Sequence, residues 1–207
     1  TAQLAGKPSM MSPDGGQVIT GHNHAEMDMD GSALQEKKAV SKHEVSKHVA
    51  SKHVEFSSLS NPTKEVLQPL YATYLEWKDA LTSDNVEKAK KHAVSMQGDL
   101  TKIEMNLFVG ESHNIWMKFS NELKSNLQHV AHVSNIDDLR KAFLNVSITM
   151  VEMADTFKPY GKTLYVLHCP MAFNNMGADW LSTEKKITNP YFGKAMYSCG
   201  EVTKEIK

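Results

Sequence analysis

From residue 61 onward, apolar side chains recur three and four positions apart in four successive segments, a spacing that lines one face of an α-helix. The apolar positions of these segments run from Leu67 to Leu81, Val86 to Leu107, Trp116 to Val130 and Ile136 to Phe157. Because the connections are short, consecutive helices should lie antiparallel. The pattern predicts an all-α fold with an up-down-up-down four-helix bundle over residues 61–158.

Local signals place the helix ends. Pro69 lies within the first segment and predicts a kink or a helix start. Asp84, followed by Glu87 three residues later, predicts the N-cap of the second helix, and Gly110 predicts its end. Asn135 is the predicted N-cap of the fourth helix. In such a bundle most of the methionines are core side chains, from the set Met96, Met105, Met117, Met150 and Met153.

The helical period is lost after Gly161. Residues 163–169, TLYVLHC, are typical of extended chain, and the remainder is rich in Asn, Gly and Pro. We therefore predict an irregular C-terminal cap over residues 159–207, packed on the bundle through Trp180, Tyr191 and Phe192.

Residues 1–60 have few large apolar side chains and many Gly, Ser, Lys, Asp and His. Such a composition buries too little surface to offset the entropy of ordering, so we predict a disordered His/Met-rich tail. Ser-Lys-His recurs at 41, 46 and 51, a period that matches neither a helix nor a strand. The adjacent lysines oppose cation binding, which favours a solvated linker over a metal site in this repeat.

Charge and motifs argue against several function classes. The 23 Lys and Arg residues balance 24 Asp and Glu residues, so no basic field attracts nucleic acid. No apolar run is long enough to cross a membrane. The sequence also lacks a nucleophile elbow, an H-E-x-x-H motif, a P-loop and a dinucleotide-binding glycine pattern. We expect neither an enzyme nor a nucleic-acid partner.

Soft metal donors are clustered, and both cysteines of the chain lie in the predicted cap. Cys169 precedes Met171 by two residues, and Met196 precedes Cys199 by three. Thiolate and thioether sulfur favour Cu(I), or Ag(I), over hard cations. The candidate metal ligands are therefore Cys169, Met171, Met196 and Cys199, with His168 and Met176 as additional donors.

A disulfide is the alternative for the same cysteines. A Cys169–Cys199 bond would close a loop of about thirty residues and stabilise the cap by roughly 3 to 4 kcal/mol. The adjacent methionines favour a metal, since a disulfide needs no thioethers. The two states can alternate, because oxidation removes a thiolate site. An electron-transfer copper site is a third alternative, and it requires a coloured or EPR-active Cu(II) form.

A second donor cluster, HNHAEMDMD, lies in the tail. His22 and His24, with carboxylates nearby, suit Cu(II) or Zn(II), whereas Met27 and Met29 suit Cu(I). The stretch is either a metal-loading arm or a polar tail with chance donors.

Four motifs follow the helical region: C-P-M-A at 169–172, G-A-D-W-L at 177–181, N-P-Y-F-G at 189–193 and M-Y-S-C-G at 196–200. With these motifs, residues 61–202 resemble a domain of uncharacterised function, common in Bacteroidetes. That domain occurs alone as a secreted protein and fused to the periplasmic adaptor (membrane fusion) subunits of copper/silver efflux systems. The resemblance implies a periplasmic or secreted location and a role in heavy-metal handling. It also implies that Cys169, Met171, Met196 and Cys199 belong to one site.

Residues and resemblance together predict a periplasmic copper-binding protein of copper homeostasis. It would hold Cu(I), with silver as a second metal, for buffering, for heavy-metal efflux or for delivery as a metallochaperone. The expected partners are the metal ion and an efflux adaptor or a copper-receiving protein. The alternative is a non-catalytic interaction module of a heavy-metal efflux system with a structural Cys169–Cys199 disulfide.

Overall fold

The computed structural model describes residues 59–158 and 161–207, so all but the last two residues of the predicted tail lie outside it. Four long helices come first: α1 (Asn61–Thr82), α2 (Val86–Thr101), α3 (Glu111–Leu127) and α4 (Ile136–Phe157). A sheet follows, with strands β1 (Leu164–Cys169), β2 (Ala178–Ser182) and β3 (Glu201–Ile206). A short helical turn, α5 (Ala172–Asn175), joins β1 to β2. None of the described helices has the length and apolar character of a membrane span.

The helices pack through the apolar faces that the sequence predicts. α1 contacts α2 and α4, and α3 contacts the same two helices. The ring centroid of Phe143 on α4 lies 5.0 Å from that of Tyr74 and 5.2 Å from that of Trp77, both on α1. Most of the predicted core methionines are fully buried (Met96, Met150 and Met153), whereas Met105 is exposed and Met117 is half-buried. The prediction of a mainly helical chain is confirmed.

The predicted cap of α2 is wrong by one residue. The side-chain oxygen of Asn85, not Asp84, accepts a hydrogen bond from the N–H of Lys88 at 2.9 Å. Asp84 instead lies in the left-handed region, with a φ of 56°. Its carboxylate binds Arg140 of α4 at 2.6 Å and the N–H of Lys194 at 3.1 Å. The charge of Asp84 thus links α4 to the C-terminal segment rather than capping a helix.

At the other helix ends, the structure differs from the prediction at Gly110 and Pro69 and agrees with it at Asn135. α2 stops at Thr101, before the predicted end at Gly110, and Gly110 precedes α3 with a φ of 60°. Pro69 lies inside α1, which begins earlier, at Asn61. The prediction for α4 is confirmed, because the side chain of Asn135 accepts a hydrogen bond from the N–H of Asp138 at 2.9 Å.

The C-terminal segment forms an antiparallel sheet with the strand order β2-β1-β3. The register places His168 of β1 between Asp179 of β2 and Glu201 of β3. β2 packs against α4, and the N–H of Leu181 donates to the buried hydroxyl of Tyr74 at 3.1 Å. The prediction of an extended segment ending at Cys169 is confirmed. The all-α class and the irregular cap need correction, because residues 164–206 contain three paired strands.

Candidate metal centre

The two cysteines meet at one end of the sheet. Cys169 is the last residue of β1 and is fully buried, while Cys199 lies two residues before β3 and is half-buried. Both are free thiols, and their Sγ atoms are 3.6 Å apart. A disulfide bond measures about 2.05 Å, so the two sulfurs are unbonded. The fold thus brings together the two thiols that the sequence selects from positions thirty residues apart.

The sulfur–sulfur separation suits a shared soft metal. Two sulfur ligands of a tetrahedral centre with metal–sulfur bonds of about 2.3 Å are about 3.8 Å apart. The observed 3.6 Å is close to that spacing. Two thiolates also form a donor set that Cu(I) prefers to oxygen or water. The chemistry of the cysteine pair is that preferred by monovalent coinage metals, and its spacing is close to that of two sulfur ligands on one tetrahedral ion.

Asn189 holds the turn that carries Cys199. It is fully buried, and its Nδ2 donates to the carbonyl oxygen of Cys199 at 2.8 Å. Its Oδ1 accepts from the N–H groups of Tyr191 at 2.8 Å and Phe192 at 3.2 Å. Its own N–H donates to the carbonyl of Tyr197 at 2.8 Å. One buried amide therefore ties the N-P-Y-F-G motif to the M-Y-S-C-G motif.

The predicted thioether ligands flank the thiols along the chain. Met196 begins the turn that ends at Cys199, whose N–H donates to the Met196 carbonyl at 3.1 Å. Met171 follows β1 and precedes α5, and its side chain is 45% exposed against 37% for Met196. Met176, beyond α5, is 78% exposed. Core packing does not account for these three methionines, and their role as ligands stays a prediction.

The turn between Met171 and β2 has an unusual backbone. Phe173, Asn174 and Asn175 have consecutive φ values of 52°, 59° and 63°. Left-handed backbone costs a non-glycine residue roughly 1–2 kcal/mol. The ring of Phe173 packs nearly perpendicular to that of Tyr191 at 5.4 Å, which offsets part of this cost. Such strain persists where tertiary contacts impose it, and it concentrates at functional sites.

His168 and Cys169 serve opposite faces of β1, because successive strand residues point to opposite sides of a sheet. The Nδ1 atom of His168 lies 2.6 Å from the carboxylate of Asp179. The other side of the ring lies against Gly177, where a Cβ atom would be 2.9 Å from Nε2. The donors predicted from the sequence thus divide, with the thiols on one face of β1 and His168 on the other.

Hydrogen bonding to Cys169, together with burial, raises the pKa of the Cys199 thiol. Because the thiolate is the reactive form, we expect Cys199 to be alkylated slowly at neutral pH. Cys169→Ala removes the partner thiol and should lower the pKa of Cys199, so that its alkylation rate rises at a lower pH. Peptide mass spectrometry of iodoacetamide-treated protein over a pH series measures this shift. Ser198→Ala, an exposed neighbour, is the control; equal pH profiles for the two variants would contradict the assignment.

Two residues of this region were not predicted from the sequence. The side chain of Asp179 binds His168. Its carbonyl oxygen accepts a hydrogen bond from the hydroxyl of Tyr191 at 2.5 Å. Only the strand register marks it as a partner of His168. Asn189 precedes a proline, which is a turn signal, but its burial is a tertiary effect.

The four donors predicted in the N-terminal tail have no described position. His22, His24, Met27 and Met29 lie outside the described residues. Within residues 59–158 and 161–207, no three His, Cys, Asp or Glu side chains are grouped as ligands of one metal ion.

Residues 70–162 match the model of a family described as a protein of unknown function (DUF3347). The match begins within α1 and ends before β1, so it contains neither cysteine. It supports a domain of uncharacterised function in the helical region and carries no information on source organisms or efflux adaptors. No curated protein and no solved structure matches the chain.

Proposed function

We propose that this chain is a periplasmic or secreted copper-binding protein that holds Cu(I), and in its place Ag(I), between Cys169 and Cys199. The observation that carries the proposal is the pair of free thiols 3.6 Å apart, one buried and one half-buried. Thiolates prefer monovalent coinage metals to hard cations. Metal binding displaces thiol protons, and the raised pKa of Cys199 makes the apparent affinity increase with pH in the neutral range.

In this proposal the two cysteines have different tasks. Cys169 is an anchored ligand, because β1 is hydrogen-bonded on both sides. Cys199 lies on the turn held by Asn189 and is accessible from solvent. Met171 and Met196 are exposed thioethers that complete the coordination of an ion of low coordination number. The helices are the scaffold, which we take to be an up-down-up-down four-helix bundle.

We further propose that the metal is buffered or passed to an efflux adaptor or another copper-receiving protein. A half-exposed ligand favours such transfer, because an incoming thiolate can replace Cys199 while Cys169 retains the ion. The donors His22, His24, Met27 and Met29 would assist capture. The activity is binding and ligand exchange, without catalysis of a chemical reaction.

Anaerobic Cu(I) titration of the reduced full-length chain against a chromophoric competitor tests the proposal. We expect Cys169→Ser/Cys199→Ser to weaken binding by more than about 100-fold, since losing even an outer-shell partner costs about 10–100-fold. The comparison is made in a background with the tail donors replaced. Met196→Leu should cause a smaller loss, and Met105→Leu, an exposed methionine on a helical turn after α2, should cause none. Equal copper retention by the wild type and the double variant would rule out the site.

The same sulfur pair supports a second candidate function, an interaction module of an efflux system with a structural disulfide. Closing the gap from 3.6 Å to about 2.05 Å needs only a small movement of two side chains. Mass spectrometry of freshly isolated, metal-loaded protein, with and without reductant, separates the two functions. An obligate disulfide would favour the interaction module, whereas two free thiols with bound copper would favour the copper site.

A further inference from the structure

The imidazole of His168 lies on the face of β1 opposite the cysteines, and its orientation is held by a carboxylate. The Nδ1 of His168 is paired with the Asp179 carboxylate at 2.6 Å, and the described residues give Nε2 no hydrogen-bond partner. In the neutral ring, a proton on Nδ1 that is donated to a carboxylate leaves a lone pair on Nε2. Carboxylate partners of this kind fix the tautomer and the orientation of metal-binding histidines. The Asp179–His168 pair thus has the arrangement of an outer-shell partner and a ligand.

Gly177 makes room for this ring. A Cβ atom at residue 177 would lie 2.6 Å from Cε1 and 2.9 Å from Nε2 of His168, closer than such atoms can pack. Its φ of 78° also favours glycine. The imidazole is therefore held between the carboxylate of Asp179 and the backbone of Gly177, which limits the directions that Nε2 can take.

A soft donor adjoins this ring along the chain. Met176 directly precedes Gly177, and 78% of its surface is exposed. The thioether contributes little to the core, and its three rotatable bonds give it a wide reach. It follows the left-handed turn of residues 173–175, whose strained backbone brings the chain back to β2 beside His168.

We propose that His168 and Met176 form a second coinage-metal site, in which Nε2 and the thioether sulfur bind Cu(I) or Ag(I). A thioether selects these ions over zinc, and two ligands suffice for an ion of low coordination number. Both ligands are neutral, so this site holds the metal more weakly than two thiolates do. It uses neither cysteine, and it therefore stands whether residues 169 and 199 bind metal or form a disulfide.

The test is an Ag(I) titration of the full-length chain followed by NMR, with nitrogen-labelled histidine and methyl-labelled methionine. The titrated chain lacks the other donors proposed above through the substitutions Cys169→Ala, Cys199→Ala, Met171→Leu, Met196→Leu, His22→Ala, His24→Ala, Met27→Leu and Met29→Leu. The Nε2 resonance of His168 and the methyl resonance of Met176 should shift together and saturate at one ion per chain. Unchanged methyl resonances of the buried Met96 and Met150 verify the fold.

Two further variants distinguish a ligand from a packing role. Asp179→Asn should weaken Ag(I) binding about 10–100-fold, as expected for an outer-shell partner, while Nε2 remains the bound atom. Met176→Leu should remove the coupled shift, and Met105→Leu should not. The proposal would be overturned if the resonances of His168 did not shift on addition of Ag(I), or if Met176→Leu left the titration unchanged. The loss of this site would leave Cu(I) binding by the cysteine pair intact, so the two proposals fail separately.

Discussion

Replacing Asn189 with alanine is expected to lower the free energy of unfolding by about 2–4 kcal/mol, because it leaves buried hydrogen-bonding groups unpaired. The Cys199 carbonyl loses a donor, and the N–H groups of Tyr191 and Phe192 lose their acceptor. The same change frees the turn that places Cys199 beside Cys169. We therefore expect weaker Cu(I) binding as well, although the amide of Asn189 binds the carbonyl oxygen of Cys199 and not its sulfur.

Denaturant unfolding and competitive Cu(I) titration measure the two effects of Asn189→Ala separately. Asn106→Ala, at an exposed position, is the matched control and should change stability by no more than about 0.5 kcal/mol. Asn189→Asp keeps an acceptor for Tyr191 and replaces the donor to the Cys199 carbonyl with a second acceptor, so it disrupts the link to the cysteine turn while the bond from Tyr191 remains. A loss of stability with unchanged Cu(I) affinity would show that Asn189 supports the fold and not the site.

Phe143→Ala should destabilise the chain by about 3–5 kcal/mol, the usual cost of removing a buried phenylalanine ring. The centroid of the Phe143 ring lies 5.0 Å from that of Tyr74, 5.2 Å from that of Trp77 and 5.8 Å from that of Tyr191. Tyr191 in turn contacts Trp180 of β2 at 5.8 Å. Aromatic packing therefore continues from α1 through α4 to the sheet, and we expect helices and sheet to unfold together.

Far-UV circular dichroism follows the helices in this experiment, and the reaction of Cys169 with a thiol reagent follows the sheet. Coincident midpoints in the wild type, both shifted in Phe143→Ala, are the expected result. Ile148→Ala, at a position of α4 that is 60% exposed, should leave both midpoints nearly unchanged. Exposure of Cys169 before the helices unfold would instead favour the predicted division between residues 61–158 and 159–207.

The helices could be predicted because their signals are local. The apolar spacing of α4 and the cap at Asn135 both depend on residues within a few positions of one another. The exception at Asp84 has a tertiary cause. Its carboxylate contacts Arg140, fifty-six residues away, and leaves the cap to Asn85. Pro69 is likewise accommodated within α1, where Leu67 and Leu70 on either side are fully buried.

Two strands of the sheet could not be predicted from their own residues. The first five positions of β3 are all exposed, so the strand shows no alternation of apolar and polar residues. β3 is extended because β1 offers it a hydrogen-bonding edge. Without β2 and β3 the sequence could not indicate that Asp179 faces His168, since that pairing depends on strand register.

The helical segments and the soft donors could be read from the order of residues alone, because periodicity and side-chain chemistry are properties of individual residues and their near neighbours. The sequence also identified Cys169 and Cys199 as chemically matched. Which donors lie close together depends on the fold. The pleat of β1 sends Cys169 and His168 to opposite faces, and the loop held by Asn189 brings Cys199 to within 3.6 Å of Cys169. Both results depend on the packing of segments far apart in the chain, which no local pattern encodes.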